Sequence, residues 1–510
     1  MRPPGEVVTK IALTEASPNR QVSETMTSFT PTAEQQAALD AFATGGSLVI
    51  EAGAGSGKTS TLQLLAESKP KARILYLAYN KAIQLDAEKR FPKNVACRTA
   101  HSLAYATHGA KMRHRLNAPR VPAFQVAKIL GQYDSLSVSG HVLTASSIAS
   151  LAMRAVEKFC RSTETTITKK HFVAPEGLAE LPALPMLRDH VIELAQKAWT
   201  DLNSPHGRLK FSHDHYLKQW AISVPRLAYD VILFDEAQDA DPCIASVVRA
   251  QMTTSQVIMV GDAAQAIYGW RGAIDVLSNT KVDHRTQLSQ SFRFGQAIAD
   301  EANAWLSRVG TTMRLSGDPT RQSTVEPLVQ ADAVLCRTNG AAIQEVMSAH
   351  AGGITVALVG GGKDILSLAQ AAEKLQAGQS SGHPELMAFD SWVAVQDYAE
   401  NDPTGSDLAV TVKLIDAHGA RGVIAAIEAC VSEDHATLIV STAHKAKGRE
   451  WDHVRIAADF REPKLDKETG LRAPISKTEA MLAYVAVTRA KKTLDNGGLA
   501  WIHNAEYDGK

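Results

Sequence analysis

Nothing in this sequence marks it for a membrane, an oxidising compartment or a partner held by bulk charge. No apolar run reaches the roughly 18 residues that a spanning helix needs, so no membrane partner is expected. The opening stretch, MRPPGEVVTKIALTEASPNRQVSETMTS, lacks the apolar core of a signal peptide, which points to the cytoplasm of a bacterial or host cell and away from secretion. The five cysteines, Cys97, Cys160, Cys243, Cys336 and Cys430, are scattered without a C-x-x-C pair. That spacing argues against a zinc ribbon, an iron–sulfur cluster or a disulfide framework, and reads as small buried apolar residues. The 54 basic and 54 acidic side chains cancel, so the whole-chain field lends nothing to nucleic-acid binding; an internal groove would need only local cations and stacking surfaces. The pair Lys169 and Lys170 reads as a solvated turn. Neither an internal repeat nor a low-complexity segment is evident.

What is present is a globular composition with three linked motifs. At 510 residues, 45% hydrophobic and 21% charged, the chain can bury several cores, and three or four units is the natural division. AGAGSGKTST, from Ala52 to Thr61, has the form of a phosphate-binding loop: small residues let backbone N–H groups approach phosphates, Lys58 reaches the terminal ones and Thr59 offers a hydroxyl to Mg²⁺. DEAQD, Asp235 to Asp239, supplies a metal-linked carboxylate and a base at the end of the apolar run VILF. GDAAQAIYGWRGA, Gly261 to Ala273, joins the nucleotide-sensing candidate Gln265 to aromatic residues that could hold bases.

The order of apolar runs predicts an α/β fold. LVIEAGAGSGKTSTLQLLAES reads as strand, glycine-rich turn and amphipathic helix, and RILYLAYN, NVACRTAHS, DVILFDEAQ and QVIMVGD supply four more strands. In such a sheet, ligands sit at the carboxyl ends of the strands. ASSIASLAMRAVEKFC and MLRDHVIELAQKAW carry helical periodicity and NSPHG, Asn203 to Gly207, carries turn chemistry, so residues 106–210 are expected to be a helical insertion. AVLCR, ITVALVG, TLIVSTAH and HVRIAAD predict a second strand-rich core.

NKAIQLDAEKRFPKNVACRTAHSLAY, HDHYLKQWAISVPRLAYDVILFDEAQD, LSQSFRFG and STAHKAKGREWDHV make the chain resemble superfamily 1 DNA helicases of the UvrD/Rep group, most closely the helicase core of the F-box DNA helicases. The resemblance runs from about Phe29 to Trp501. It implies two RecA-like parallel-sheet P-loop NTPase cores, each with a mainly helical insertion: 29–105 and 211–280 for the first core, 106–210 for its insertion, 281–351 and 431–510 for the second core, and 352–430 for a small second insertion. Residues 1–28 are expected to form a disordered tail, and Met26 could equally be the start. That tail has neither the room nor the apolar helical pattern of an F-box, so no ubiquitin-ligase partner is expected.

The same resemblance assigns roles residue by residue. Gln35 would read the adenine edge, Phe292 would stack on the base and Glu450 would meet the ribose; Ala52, Gly53, Ala54, Gly55, Ser56, Gly57, Lys58, Thr59 and Ser60 would cradle the phosphates. Thr59 and Asp235 would hold Mg²⁺, Glu236 would orient the attacking water, and Gln265, Arg293 and Arg489 would contact the terminal phosphate. Tyr268, Trp270 and Arg271 would grip bases, while Thr99, His101 and Ser102 on one core and Thr442, His444 and Lys447 on the other would hold strand phosphates. Taken singly, each arginine is better read as a surface ion pair, Phe292 as core and the aromatics as packing; the ordered set gives them function. One departure is LAYNKA, where Tyr79 directly precedes Asn80 and many relatives carry the aromatic one position earlier, so Tyr79 is assigned no base pocket.

The expectation is therefore an ATP- and Mg²⁺-dependent 3′-to-5′ DNA helicase and translocase. Its partners would be single-stranded and tailed or forked duplex DNA, alongside repair, recombination or replication proteins. Two alternatives stand: a non-unwinding translocase that strips proteins from single strands, and a partner-regulated ATPase subunit of a repair or defence complex.

Overall fold

A computed structural model describes residues 30–504 except 120, 139–140, 175–182, 269–275, 384, 387–388, 402–405 and 466–471. The expected tail, 1–28, lies outside the described residues. The first half forms β1 (Leu48–Ala52), β2 (Ile74–Ala78), β3 (Val95–Thr99), a hairpin of β4 (Leu136–Val138) and β5 (His141–Leu143), then β6 (Val231–Phe234), β7 (Gln256–Gly261) and β8 (His284–Leu288). Apart from the hairpin, these strands make one parallel sheet in the order β3-β2-β6-β7-β1-β8. Helices cover both faces, and β2 and β6 are buried along their whole length, which is why they read as unbroken apolar runs instead of alternating ones.

A second sheet contains β9 (Thr324–Val325), β10 (Ala333–Cys336), β11 (Val356–Leu358), β12 (Leu438–Thr442), β13 (Trp451–Ile456) and β14 (Ala490–Asp495). It too is parallel, in the order β11-β12-β10-β13-β14-β9. Two expected boundaries move. β8 pairs with β1 along its length, so the first core runs past residue 280. β11 pairs with β12, so the second core runs past 351.

The small insertion expected at 352–430 is also not a separate body. Its helices Lys363–Gln376 and Ser406–Glu428 bury Leu375, Val423 and Ile427 in the same apolar cluster as Val334 of β10 and Val440 of β12. They lie outside the helix Asn339–Ala351, whose Ile343 and Val346 belong to the same cluster and which itself covers β10, β11 and β12. Residues 106–210 include the helices Ala123–Leu130, Ala145–Cys160 and Leu184–Asn203, and Val156, Val191 and Leu202 continue the cluster that holds Val49 and Leu75. The return turn of this segment is held by Arg115, whose guanidinium donates to the carbonyls of Asp201, Leu202, Ser204 and Leu209. Gly207 is required there, since a Cβ would fall 2.0 Å from the Asp201 carbonyl oxygen and 2.7 Å from Arg115 Nη1.

The cysteines carry no disulfide, and all but the half-buried Cys430 are buried. Among the described residues, no helix is long and apolar enough to cross a membrane. Because the 363–428 helices share the apolar cluster of the second core, Leu375→Ala should cost about 2–5 kcal/mol. It should also lower hydrogen-exchange protection in β10, β11 and β12. Unchanged protection in those strands would mark the segment as an independent unit.

Candidate nucleotide and strand site

The phosphate loop leaves the carboxyl end of β1 and enters the helix Lys58–Ser68. Gly55 and Gly57 lie at φ 73° and 79°, left-handed conformations that disfavour a side chain. Space gives a second reason: a Cβ on Gly55 would meet Arg293 Cβ and Ser291 Oγ at 2.6 Å, and one on Gly57 would meet the Phe292 ring at 3.3 Å. Ala52, Gly53, Ala54 and Ser56 are buried in the turn, whereas Thr59 is half-buried and Ser60 exposed on the first helical turn. Gln35 is buried beside the loop because it also closes the capping box of the helix Ala33–Ala43. Its Oε1 accepts from Thr32 N at 3.1 Å and its Nε2 donates to Thr61 Oγ1 at 3.2 Å.

The carboxylates stand at the end of β6. Asp235 accepts from the Tyr76 hydroxyl at 2.5 Å, and Glu236, at φ 50°, places a carboxylate oxygen 3.1 Å from Lys58 Nζ. Burial works against the Lys58 charge, but Glu236, Asp262 and Asp235 more than offset it and hold its pKa above the ordinary lysine value. Burial and the adjacent Glu236 push Asp235 up. Glu236 is held low although burial opposes this, because Lys58 and then Lys447 favour its charge. Gln238 steadies the group: its amide donates to Glu236 at 2.5 Å, and its oxygen accepts from Asp262 N at 3.1 Å.

The second core meets this site through its helix Lys477–Val487 and the residues after it. Tyr484, fully buried, accepts from Ala54 N in the phosphate loop and donates to Asp262, each at 3.0 Å. Burial and then Asp262 raise its pKa well above the usual phenol, so the hydroxyl stays a donor. Gln265 donates to Asp262 at 2.6 Å and faces Arg489 Nη2 at 3.4 Å. Arg293 lies 2.7 Å from Glu450 and 2.9 Å from the Thr488 carbonyl. A cleft of about 170 Å³ between the cores is lined by Gly55, Phe292, Arg293 and Glu450, with Arg321 and Lys491 besides.

A second cavity, of about 480 Å³, opens farther along the same carboxyl edge of the first sheet, at the ends of β2, β3 and β6. Its walls include Tyr79, Thr99, His101, Asp239 and Tyr268. Tyr79, assigned no base pocket from the sequence, stands just after β2 on this wall, 45% exposed. Thr99 and Ser102 cap the helix Ala100–Ala104 reciprocally, which directs their hydroxyls to the backbone. His101 is half-exposed, 3.4 Å from Asp214. Thr442 caps the helix Ala443–Ala446, and the His444 carbonyl accepts from the Tyr268 hydroxyl at 3.0 Å. Lys447, expected on a strand phosphate, is instead buried between the cores, 2.6 Å from Asp239, because that carboxylate and the Gln265 carbonyl supply its acceptors. Trp270 and Arg271 lie outside the described residues.

Sequence reading missed Tyr76, Gln238, Asp239, Asp262 and Tyr484. Gln238 and Asp239 stand inside DEAQD, Asp262 opens DAAQ and Tyr484 opens YVAVTRA, so the signal was their place within motifs already noticed.

Two parallel sheets that meet over a phosphate loop, with Tyr484 and Arg489 of the second core facing Asp262 and Gln265 of the first, define a two-core P-loop NTPase. Residues 31–284 match the UvrD/REP helicase N-terminal domain and residues 397–495 the UvrD-like helicase C-terminal domain. The chain belongs to the UvrD-like helicase family. It is 31% identical over 490 residues to F-box DNA helicase protein 1 of Schizosaccharomyces pombe, covering 88% of this chain and 55% of that one. It is 30% identical over 502 residues to F-box DNA helicase 1 of Gallus gallus, covering 91% and 48%. A shorter stretch, 82 residues, is 37% identical to the ATP-dependent DNA helicase PcrA of Leuconostoc citreum, 15% of this chain and 11% of that one. The chain thus spans about half the length of the two F-box relatives.

Two substitutions probe the site. Lys58→Ala should abolish ATP turnover while the circular dichroism spectrum and melting temperature stay near wild type; loss of folding would reassign Lys58 to structure. Tyr484→Phe removes a hydrogen bond to a charged acceptor worth about 1.5–3 kcal/mol. Turnover should fall about tenfold to a hundredfold, with a smaller change in KM for ATP.

Proposed function

We propose that this chain is an ATP-dependent 3′-to-5′ DNA helicase and single-strand translocase acting in repair, recombination or replication. The observation that carries the reading is the segment Gly261–Tyr268. At one end Asp262 and Gln265 meet Tyr484 and Arg489 at the nucleotide cleft; at the other Tyr268 lines the larger cavity and bonds to His444. One short piece of the first core therefore touches both candidate sites, and the second core holds both of its ends.

The residues fit ATP and Mg²⁺. The left-handed Gly55 and Gly57 keep the loop free of side chains, Lys58 is already balanced against carboxylate charge, and the Thr59 hydroxyl and Asp235 carboxylate are the hard oxygen donors that Mg²⁺ takes. Bound Mg·ATP supplies the phosphoanhydride to be cleaved and a charge that neutralises its phosphates. Lys58 exchanges Glu236 for phosphate, which frees Glu236 to orient the attacking water. Arg293 and Arg489 turn from protein acceptors to the terminal phosphate and stabilise its developing charge. Since they arrive with the second core, phosphate release weakens the joint and lets the cores separate. On the strand side, Tyr79 and Tyr268 offer ring faces to bases, a grip of about 1–3 kcal/mol per base that tolerates any sequence.

One observation favours a narrower reading, a translocase that strips proteins without unwinding. Among the described residues, the helices of 363–428 share the apolar cluster of the second core instead of burying a core of their own, which leaves less independent surface for a duplex. The test is ATP-driven strand separation on duplexes with either a 3′ or a 5′ single-stranded tail, with Lys58→Ala as control. The helicase reading expects unwinding from the 3′ tail alone. No unwinding from either tail, in a preparation whose ATP turnover still rises with single-stranded DNA, would leave the translocase.

A further inference from the structure

Lys447 was expected to touch DNA phosphate, and its surroundings argue for a different task. Its ammonium lies 2.7 and 2.6 Å from the two oxygens of Asp239, and the side chains are only 8% and 3% exposed. Its further bond goes to the Gln265 carbonyl, and its Nζ sits 5.4 Å from the centre of the Tyr268 ring. Asp239 and Gln265 belong to the first core and Lys447 to the second, so the ion pair crosses the cleft. Asp239 is also tied toward the nucleotide side: Gln238, whose amide reaches Glu236 at 2.5 Å, lies 3.4 Å from an Asp239 oxygen. Asp239 also lines the 480 Å³ cavity, together with Tyr268.

We propose that Asp239 is a positioning residue for DNA-coupled ATP turnover, acting through a buried cross-core ion pair with Lys447; this rests on the helicase reading above. A base stacked on Tyr268 presses on the wall that contains the pair. The pair then carries that displacement to the Gln265 backbone, whose side chain stands between Asp262 and Arg489. The physics predicts a definite signature. Removing one member of a buried pair leaves the other charge desolvated and uncompensated, whereas removing both leaves neither. Single losses should therefore be severe and the double loss mild. A lysine that held strand phosphate would behave otherwise, since neutralising Asp239 could not restore it.

The experiment compares wild type, Asp239→Asn, Lys447→Met and the double variant in steady-state ATP turnover with and without an oligo-dT strand, each checked for folding by its melting curve. The proposal expects each single variant to lose about tenfold or more of DNA-stimulated kcat and the double variant to recover to within about threefold of wild type. A double variant no better than Lys447→Met would overturn the pair while leaving the helicase reading in place. A wild type whose turnover ignores the strand would sink the helicase reading and this proposal with it. A second readout does not depend on catalysis: the slope of log affinity for oligo-dT against log salt. The buried pair predicts the wild-type slope for Lys447→Met, whereas a slope shallower by about 0.7 would mark a lost phosphate contact and overturn the proposal.

Discussion

The structure turns on one buried hydroxyl. Tyr484 comes from the second core, yet it accepts the Ala54 amide of the phosphate loop and donates to Asp262 of the first. Around it Gln265 and Arg489 complete a polar joint with little access to water, and Arg293 with the exposed Glu450 lies at its rim. In such surroundings a hydrogen bond is strong and an unmatched partner is costly, so the cores fit well only when donors and acceptors are paired. A nucleotide that inserts its phosphates here must re-pair several of these groups at once. That requirement is what can turn a local chemical event into a relative movement of two sheets.

Much of the fold was legible because parallel strands buried on both faces leave continuous apolar runs. LVIEA, ILYLA, VILF and QVIMVG each form a strand where the pattern placed it. The boundaries were less legible. β8 reads HRTQL, a polar edge strand whose pairing with β1 is fixed by partners over 230 residues away, and nothing in its own composition shows which sheet it joins. The helices of 363–428 have an ordinary amphipathic pattern, which records that a face is buried but not what it is buried against.

For the site, motifs brought together the residues around the phosphate loop because their spacing reflects contact with one shared ligand geometry. Lys447 shows where that logic stops. HKAKG fits a strand-contacting motif, but the direction of its second lysine is decided by Asp239, 208 residues away in sequence. Tyr79 lies just past β2 and lines the cavity, because the end of a strand is a turn and not a fixed alternation of faces.

The most direct test of the account is the rate of ATP turnover in one preparation with and without single-stranded DNA. If the segment Gly261–Tyr268 links a strand cavity to a hydrolytic joint, turnover must rise steeply when the strand is added and the rise must vanish in Lys58→Ala. Equal rates with and without DNA, from a protein that hydrolyses ATP, would contradict the account and point to an ATPase that takes its signal from a partner protein.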